Sequence, residues 1–216
     1  MKGHPVIRLL SQRLGKPLPG ADAHGQMRAR PSSGARLSVR HTEPPRPGAV
    51  LILLYADKGR LFFPLIQRPS YEGVHGGQIG LPGGKQEPSD ADLVQTALRE
   101  TNEEIGVDKH VVHVLGSLTP FHVAVSNHMI LPVVGFVEKK PVFVPDHQEV
   151  EEVIEAPLHQ LLDGSYRKET EINVRGVRLV APYFDLENRI VWGATAMMLS
   201  ELASILTEPG AGLHTQ

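Results

Sequence analysis

The chain contains no cysteine. That excludes a disulfide frame, a thiolate metal site and a cysteine nucleophile. It also lacks an apolar run of membrane length. The longest, AVLILLYA from Ala49 to Ala56, falls far short of the roughly 18 residues a span needs. The opening stretch, MKGHPVIRLLSQRLGK, has no apolar core of the kind a secretory signal carries. No internal repeat and no long low-complexity tract is present. There is no HExxH motif, and the histidines show no spacing that supports a zinc site. His110 and His113, in an expected strand, would face opposite sides. A soluble cytoplasmic protein with no membrane or nucleic-acid partner is the expectation.

What is present is ordinary globular material. A chain of 216 residues, 41% hydrophobic and 21% charged, suits one good core rather than two full domains. Charge is unevenly placed. Residues 1–46 hold nine Lys/Arg against two Asp/Glu, while the remainder holds thirteen against twenty-two. A basic front segment can meet a polyanion, although positives spread this widely are also found on plain solvated surface. The Pro/Gly/Ser-rich stretch PLPGADAHGQMRARPSSGAR and the break at PPRPG set this front apart. The expected organisation is a basic accessory segment over 1–47, a main domain over 48–207 and a flexible tail over 208–216.

Within the front segment, Ile7, Leu9, Leu10 and Leu14 are spaced to line a short helix. AVLILLYA and LFFPLIQ read as strands around a turn at DKGR. HVVHVLGS, LTPFHVAV and HMILPVVGFVE read as three more, and EINVRGVRLVAPYF as a hairpin turning near Arg175–Gly176. PSDADLVQTALRETNEEIG, APLHQLLD and GATAMMLSELASIL read as helices. Strands in runs with helices between them predict an α+β fold, a sheet packed by helices.

The stretch from Gly83 to Gly106, GGKQEPSDADLVQTALRETNEEIG, carries the chemistry. Ser89 fits a helix N-cap, with Asp92 in the capping-box place. At about 100° per residue, Val94, Leu98, Thr101 and Ile105 form the stripe expected to be buried. Glu100, Glu103 and Glu104 share another face, where like charges repel. Arg99 points about 100° away from Glu100, so no cation of the same helix is expected to neutralise them. Such a run can be a solvated face. Here it follows the glycine-rich loop GGQIGLPGG, which lets backbone approach a ligand closely. Clustered carboxylates are the oxygen donors that Mg²⁺ or Mn²⁺ prefers, usually together with substrate phosphates.

At these residues the sequence resembles the Nudix hydrolases, whose box runs G-x5-E-x7-R-E-U-x-E-E-x-G-U, with U a bulky aliphatic. RETNEEIGV, Arg99 to Val107, fits the second half, with Thr101 at the first U. In the first half one residue is inserted. Counted back from Arg99, the G and E positions fall on Lys85 and Ala91, whereas counted forward from Gly84 an acid appears at Asp90. That variant resembles the coenzyme A pyrophosphatase branch, on GGKQEPSD and TALRETNEEIG. The branch's upstream signature is similar to PLIQRPSYEGVHGGQIGLPGG, with Leu65, Arg68, Gly77, Pro82, Gly83 and Gly84 in place. Pro69 stands for its Ser, Gly73 for its second Arg and Leu81 for its Phe. PLPGADAH and VWGATAMMLSEL resemble the branch as well.

The resemblance implies a mixed β-sheet packed between helices, an α/β/α sandwich. It implies a Mg²⁺- or Mn²⁺-dependent hydrolase cleaving the pyrophosphate of coenzyme A or acyl-CoA to 3′,5′-ADP and a 4′-phosphopantetheine species. Glu100, Glu103 and Glu104 are the implied metal ligands, and Arg99 ties the helix to the loop before it. Glu149, from the acidic stretch PDHQEVEEVIE, is the implied general base, with Glu151 and Glu152 nearby. Gly83 and Gly84 bring backbone to the site; Arg68 and His75 are expected to meet substrate. An ADP-ribose or NADH pyrophosphatase, kept open by Gly73, and an inactive ligand sensor are the alternatives. Family likeness also suggests a homodimer.

Overall fold

The computed structural model describes residues 4–33, 41–69, 77–174 and 176–208. Twelve strands and five α-helices follow one another along these residues. The front holds α1 (Pro5–Arg13), α2 (Ala21–Gly25) and β1 (Arg30–Pro31). Next come β2 (Arg46–Asp57), β3 (Arg60–Gln67), β4 (Ile79–Gly80), β5 (Gly83–Lys85) and α3 (Leu93–Ile105). Then follow β6 (His113–Ser117), β7 (Phe121–Val123), β8 (His128–Val137), β9 (Glu152–Pro157) and α4 (Leu158–Leu162). The chain closes with β10 (Arg167–Val174), β11 (Val177–Leu186), β12 (Arg189–Trp192) and α5 (Gly193–Thr207). No helix among the described residues is long and apolar enough to cross a membrane.

β2 is the spine. It pairs parallel with β8 along ten residues and antiparallel with β3 and β5, so the main eight-stranded sheet is mixed. Its alternate side chains face two different cores. Ala49, Leu51, Leu53 and Tyr55 pack with Ala97, Leu98 and Ile105 of α3. Val50, Ile52 and Leu54 pack with Met198, Leu199 and Leu202 of α5. Burial on both faces explains why AVLILLYA is a continuous apolar run rather than an alternating one. The result is the expected sheet between helices. The DKGR turn is also as read: Lys58 and Gly59 both adopt left-handed backbone, at φ 47° and 79°, closing a two-residue hairpin. A second, four-stranded sheet of β1, β11, β10 and β12 flanks the α5 side.

Three strand expectations differ from the structure. HVVHVLGS is a strand only from His113, because Lys109–Val111 forms a 3-10 turn capped by Asp108, so His110 and His113 do not share a strand. The acidic stretch before Pro157 contains β9, which pairs with β3 from Gln67↔Glu152 to Phe62↔Pro157. Its acids hide the strand from a pattern search. Glu155, for example, accepts a hydrogen bond from the buried Tyr55 hydroxyl at 2.5 Å and lies 2.7 Å from the Lys140 ammonium. The expected strand LTPFHVAV shortens to Phe121–Val123, since Val123 and Ser126 close a turn immediately after it.

Residues 5–31 are built into the core rather than lying loose beside it. Val6, Ile7, Leu10 and Met27 are buried against the α5 cluster, and β1 pairs with β11. The pin is Glu201 of α5, fully buried. Its carboxylate accepts the Gly20 N–H at 2.9 Å, the Thr119 N–H at 3.1 Å and the Thr119 hydroxyl at 2.6 Å. His24 Nε2 stands 3.1 Å from its second oxygen.

Candidate active site

α3 begins one turn later than the serine suggested. Asp92 is the N-cap and accepts the Gln95 N–H at 2.8 Å. Ser89 lies in a preceding turn, closed by the Asp90 N–H on the Glu87 carbonyl at 3.0 Å. The helix stops at Gly106, whose φ of 74° is left-handed and favours glycine. Leu98, Thr101 and Ile105 are buried as the stripe predicts, and Val94 is half-buried.

Two of the three glutamates do have a cation of their own helix. Arg99 Nη1 donates to Glu103 at 2.7 Å and Nη2 to Glu100 at 3.1 Å. The angular expectation considered only the direction in which the side chain leaves the helix. A long arginine stem lets the guanidinium reach both its neighbour and the residue one turn on. The other donors hold the loop. Arg99 Nε and Nη2 grip both oxygens of Asp90 at 2.9 and 3.0 Å, and Nη2 also donates to the Lys85 carbonyl at 3.0 Å. Asp90 accepts the Thr96 hydroxyl at 2.9 Å as well. The Arg99 hydrogen bonds, ahead of those from Glu87 and Thr96, hold the Asp90 carboxyl well below the usual range. The inserted residue in the box is therefore absorbed: Asp90, six residues from Gly84, supplies the acid that Ala91 cannot.

Glu104 does not face solvent with its neighbours. Only 1% of its side chain is exposed. It accepts the Gly83 N–H at 2.7 Å on one oxygen and Arg68 Nη2 at 3.0 Å on the other. Burial pushes its pKa up to about 7; Arg68 and the Gly83 amide oppose that, and the charges of Glu100 and Glu149 add to it. Glu100 is also raised, first by burial, against the pull of Arg99 and with the push of Glu103 and Glu149. Its carboxylate lies over Gly84, where an added methyl group would overlap it. Gly83 has φ 148°, and a side chain there would strike the backbone of Ala49 and Val50. Glycine is required at Gly83 by backbone, whereas at Gly84 a side chain would displace the Glu100 carboxylate. Glu103, with 57% of its side chain exposed, lies against Arg99.

Glu149 arrives from the far side on a turn clipped at both ends. The N–H groups of Val144 and Asp146 donate to the Ile105 and Glu104 carbonyls, each at 3.0 Å. The Glu151 N–H donates to the Gln67 carbonyl at 2.8 Å, and Val150 is fully buried between. The structure thus brings Glu100, Glu104 and Glu149 within one another's fields and ties Glu103 to Arg99. Arg68 meets Glu104 and the Gly83 carbonyl, at 3.0 and 3.2 Å. His75 and Gly73 lie outside the described residues.

Among the described residues no three His, Asp or Glu side chains are drawn into a finished metal cage. The donor set nevertheless fits a hard divalent cation. Glu100 and Glu104 are carboxylates raised first by burial and then by neighbouring glutamates, and a cation would offset both. The sequence reading missed the partners of Glu104. The only signal was a lone arginine 36 residues upstream, at the end of an apolar strand.

A family model described as the NUDIX domain matches residues 45–177. Nudix hydrolase 15, mitochondrial, from Arabidopsis thaliana is 39% identical over 173 residues, covering 76% of this chain and 60% of that protein. Nudix hydrolase 22, chloroplastic, from the same plant is 36% identical, covering 75% of this chain and 56% of that protein. The chain therefore spans less than two thirds of the length of these two relatives. An uncharacterized Nudix hydrolase, NudL, from Yersinia pestis is 37% identical over 139 residues, covering 64% of this chain and 69% of that protein.

Proposed function

The chain belongs to the Nudix family, and from that premise we propose that it is a Mg²⁺- or Mn²⁺-dependent pyrophosphohydrolase acting on coenzyme A or its thioesters. The observation that carries this reading is the placement of Glu104, buried between the Gly83 amide and Arg68, raised first by that burial and further by Glu100 and Glu149. In this reading Glu100 and Glu104 are ligands of the divalent ion, and Glu103 is the third oxygen donor. The chemistry the ion supplies when bound is neutralisation of pyrophosphate charge and activation of water.

The chain's own residues do the rest. Glu149, held by its clipped turn, accepts the proton of the attacking water. Water oxygen bonds to one phosphorus as the bridging P–O bond breaks, giving 3′,5′-ADP and 4′-phosphopantetheine. Arg99 keeps α3 seated on the loop through Asp90 and the Lys85 carbonyl. Gly83 and Gly84 bring the backbone beside the carboxylates, and His75 meets the substrate. Residues 48–207 carry the reaction in this reading, and residues 5–31 brace them. Cytoplasmic residence and a homodimer belong to the same reading.

The branch is supported by likeness in GGKQEPSD, TALRETNEEIG and the two outlying stretches. Those stretches touch: His24 and Gly20 of PLPGADAH bind Glu201 of VWGATAMMLSEL. A structural contact gives a reason for the two to occur together. Gly73, where the branch has an arginine able to grip phosphate, favours ADP-ribose or NADH as the second reading.

The test is product analysis by chromatography after incubation with Mg²⁺ or Mn²⁺ and, separately, coenzyme A, ADP-ribose and NADH. Release of 3′,5′-ADP from coenzyme A, faster than cleavage of the others, is expected. Faster cleavage of ADP-ribose or NADH would move the assignment to the second reading. Binding without turnover in either metal would leave a ligand sensor. Gly84→Ala offers a separate check. Its methyl group displaces the Glu100 carboxylate, and kcat is expected to fall about 100-fold. Because the obstacle is the end of a flexible side chain, the melting temperature should drop by only a few degrees.

A further inference from the structure

We infer that Arg68 is a positioning residue, which fixes the Glu104 carboxylate, rather than a group that grips substrate phosphate. This rests on the reading that Glu104 is a metal ligand. Arg68 Nη2 donates to Glu104 Oε1 at 3.0 Å and to the Gly83 carbonyl at 3.2 Å. The N–H of the same Gly83 donates to the other oxygen of Glu104 at 2.7 Å. Arg68, Glu104 and Gly83 therefore form a closed ring in which both carboxylate oxygens are held from the protein side.

The ring joins three separate elements. Arg68 follows the end of β3, Gly83 begins β5, and Glu104 lies in the last turn of α3. The arginine's backbone is fixed too, its N–H donating to the Gln78 carbonyl at 3.1 Å. The preceding residue, Gln67, receives the Glu151 N–H, and the Glu104 carbonyl receives the Asp146 N–H. Residues 67 and 68 thus register both the buried carboxylate and the turn that carries Glu149. A second-sphere partner of this kind sets the direction of a ligand's lone pairs, and its loss typically weakens metal binding 10- to 100-fold.

One nitrogen serves both acceptors, and that distinguishes the two roles. Holding Glu104 and the Gly83 carbonyl asks for a compact cation with two donors, which a lysine ammonium supplies. Gripping a phosphate with two parallel bonds asks for the guanidinium fork, which lysine lacks.

The experiment compares wild type, Arg68→Met, Arg68→Lys and Glu104→Gln. Mn²⁺ affinity is read from the free-ion electron paramagnetic resonance signal without substrate, alongside kcat and KM at saturating Mn²⁺. Arg68→Met is expected to weaken Mn²⁺ binding about 10- to 100-fold and to lower kcat, with KM within about twofold. Arg68→Lys is expected to restore most of both losses. Wild-type Mn²⁺ affinity in Arg68→Met, with KM raised tenfold or more, would overturn the proposal in favour of a phosphate contact. Should Arg68→Met not fold, Arg68→Lys decides alone: retained Mn²⁺ affinity and KM support positioning, and a raised KM with unchanged Mn²⁺ affinity overturns it. Glu104→Gln separates the two layers. If it binds Mn²⁺ as wild type does, Glu104 is no ligand and the underlying reading fails with the proposal. If only Arg68→Met binds normally, the role of Arg68 alone is wrong.

Discussion

Replacing Glu104 with glutamine is expected to lower kcat by roughly 10³-fold while leaving the fold intact. The magnitude follows from removing one preorganised charge at a centre where phosphoryl charge must be stabilised. The fold survives because glutamine keeps the shape and can still accept the Gly83 N–H. The same substitution has a signature in stability that no merely disruptive change would produce. The native carboxyl is pushed up to about 7 from an ordinary value of 4.5. A native pKa above the unfolded one means that the folded state holds the proton more tightly. The contribution to stability is therefore complete below about pH 4.5 and lost as pH rises through about 7, a difference of about 3 kcal/mol. Glutamine does not titrate. Thermal melts with chelator present should find the variant close to wild type at pH 4.5 and more stable than it at pH 8. A variant that melts far below wild type at pH 8, or retains wild-type kcat, would remove Glu104 from the centre of the site. Glu103→Gln is also expected to lower kcat by orders of magnitude, because it removes the third oxygen donor.

The buried stripe of α3, the acidic cluster and the glycine-rich approach were legible because each depends on spacing within a short stretch. What was not legible depends on residues far apart. At about 100° per residue Glu104 lies nearer the buried stripe than Glu103 does, but its near-complete burial is visible only in the structure. Its partners, Arg68 and Gly83, arrive from other elements. The N-cap was missed because Ser89 and Asp92 both suit the role. The hydrogen bond from Asp90 to Glu87, which keeps the chain turning past the serine, is visible only in three dimensions. β9 was hidden by acids whose partners, Tyr55 and Lys140, lie elsewhere in the sequence. The depth at which residues 5–31 are buried was equally out of reach. Pattern shows that α1 has an apolar face, but the cover it finds is α5, almost two hundred residues later.

That cover leads to the second large effect. Glu201→Ala is expected to destabilise the protein by about 3–5 kcal/mol, a drop in melting temperature of about 10 °C. The carboxylate is fully buried and collects donors from Gly20, His24 and Thr119. Alanine leaves the Gly20 and Thr119 amides without an acceptor, and unsatisfied buried donors are costly. Glutamine keeps one accepting oxygen and should recover part of the loss. The pH dependence runs opposite to that of Glu104. Burial pushes the Glu201 carboxyl up, but the hydrogen bonds from His24, Thr119 and Gly20 outweigh it, and the net shift is downward. Its contribution is therefore present above the ordinary carboxylate range and lost as pH falls through the lowered value. Wild-type stability should rise from strongly acidic pH as Glu201 and Asp90 ionise, then decline toward neutrality as Glu104 and Glu100 do. Glu201→Ala should reduce only the acid limb, where Asp90 still contributes, and Glu104→Gln only the neutral one, where Glu100 still contributes. Because α5 and α3 pack on opposite faces of the main sheet, Glu201→Ala is expected to keep its kcat below its own melting temperature. A wild-type melt in Glu201→Ala would mean that the front segment is held by its apolar contacts alone.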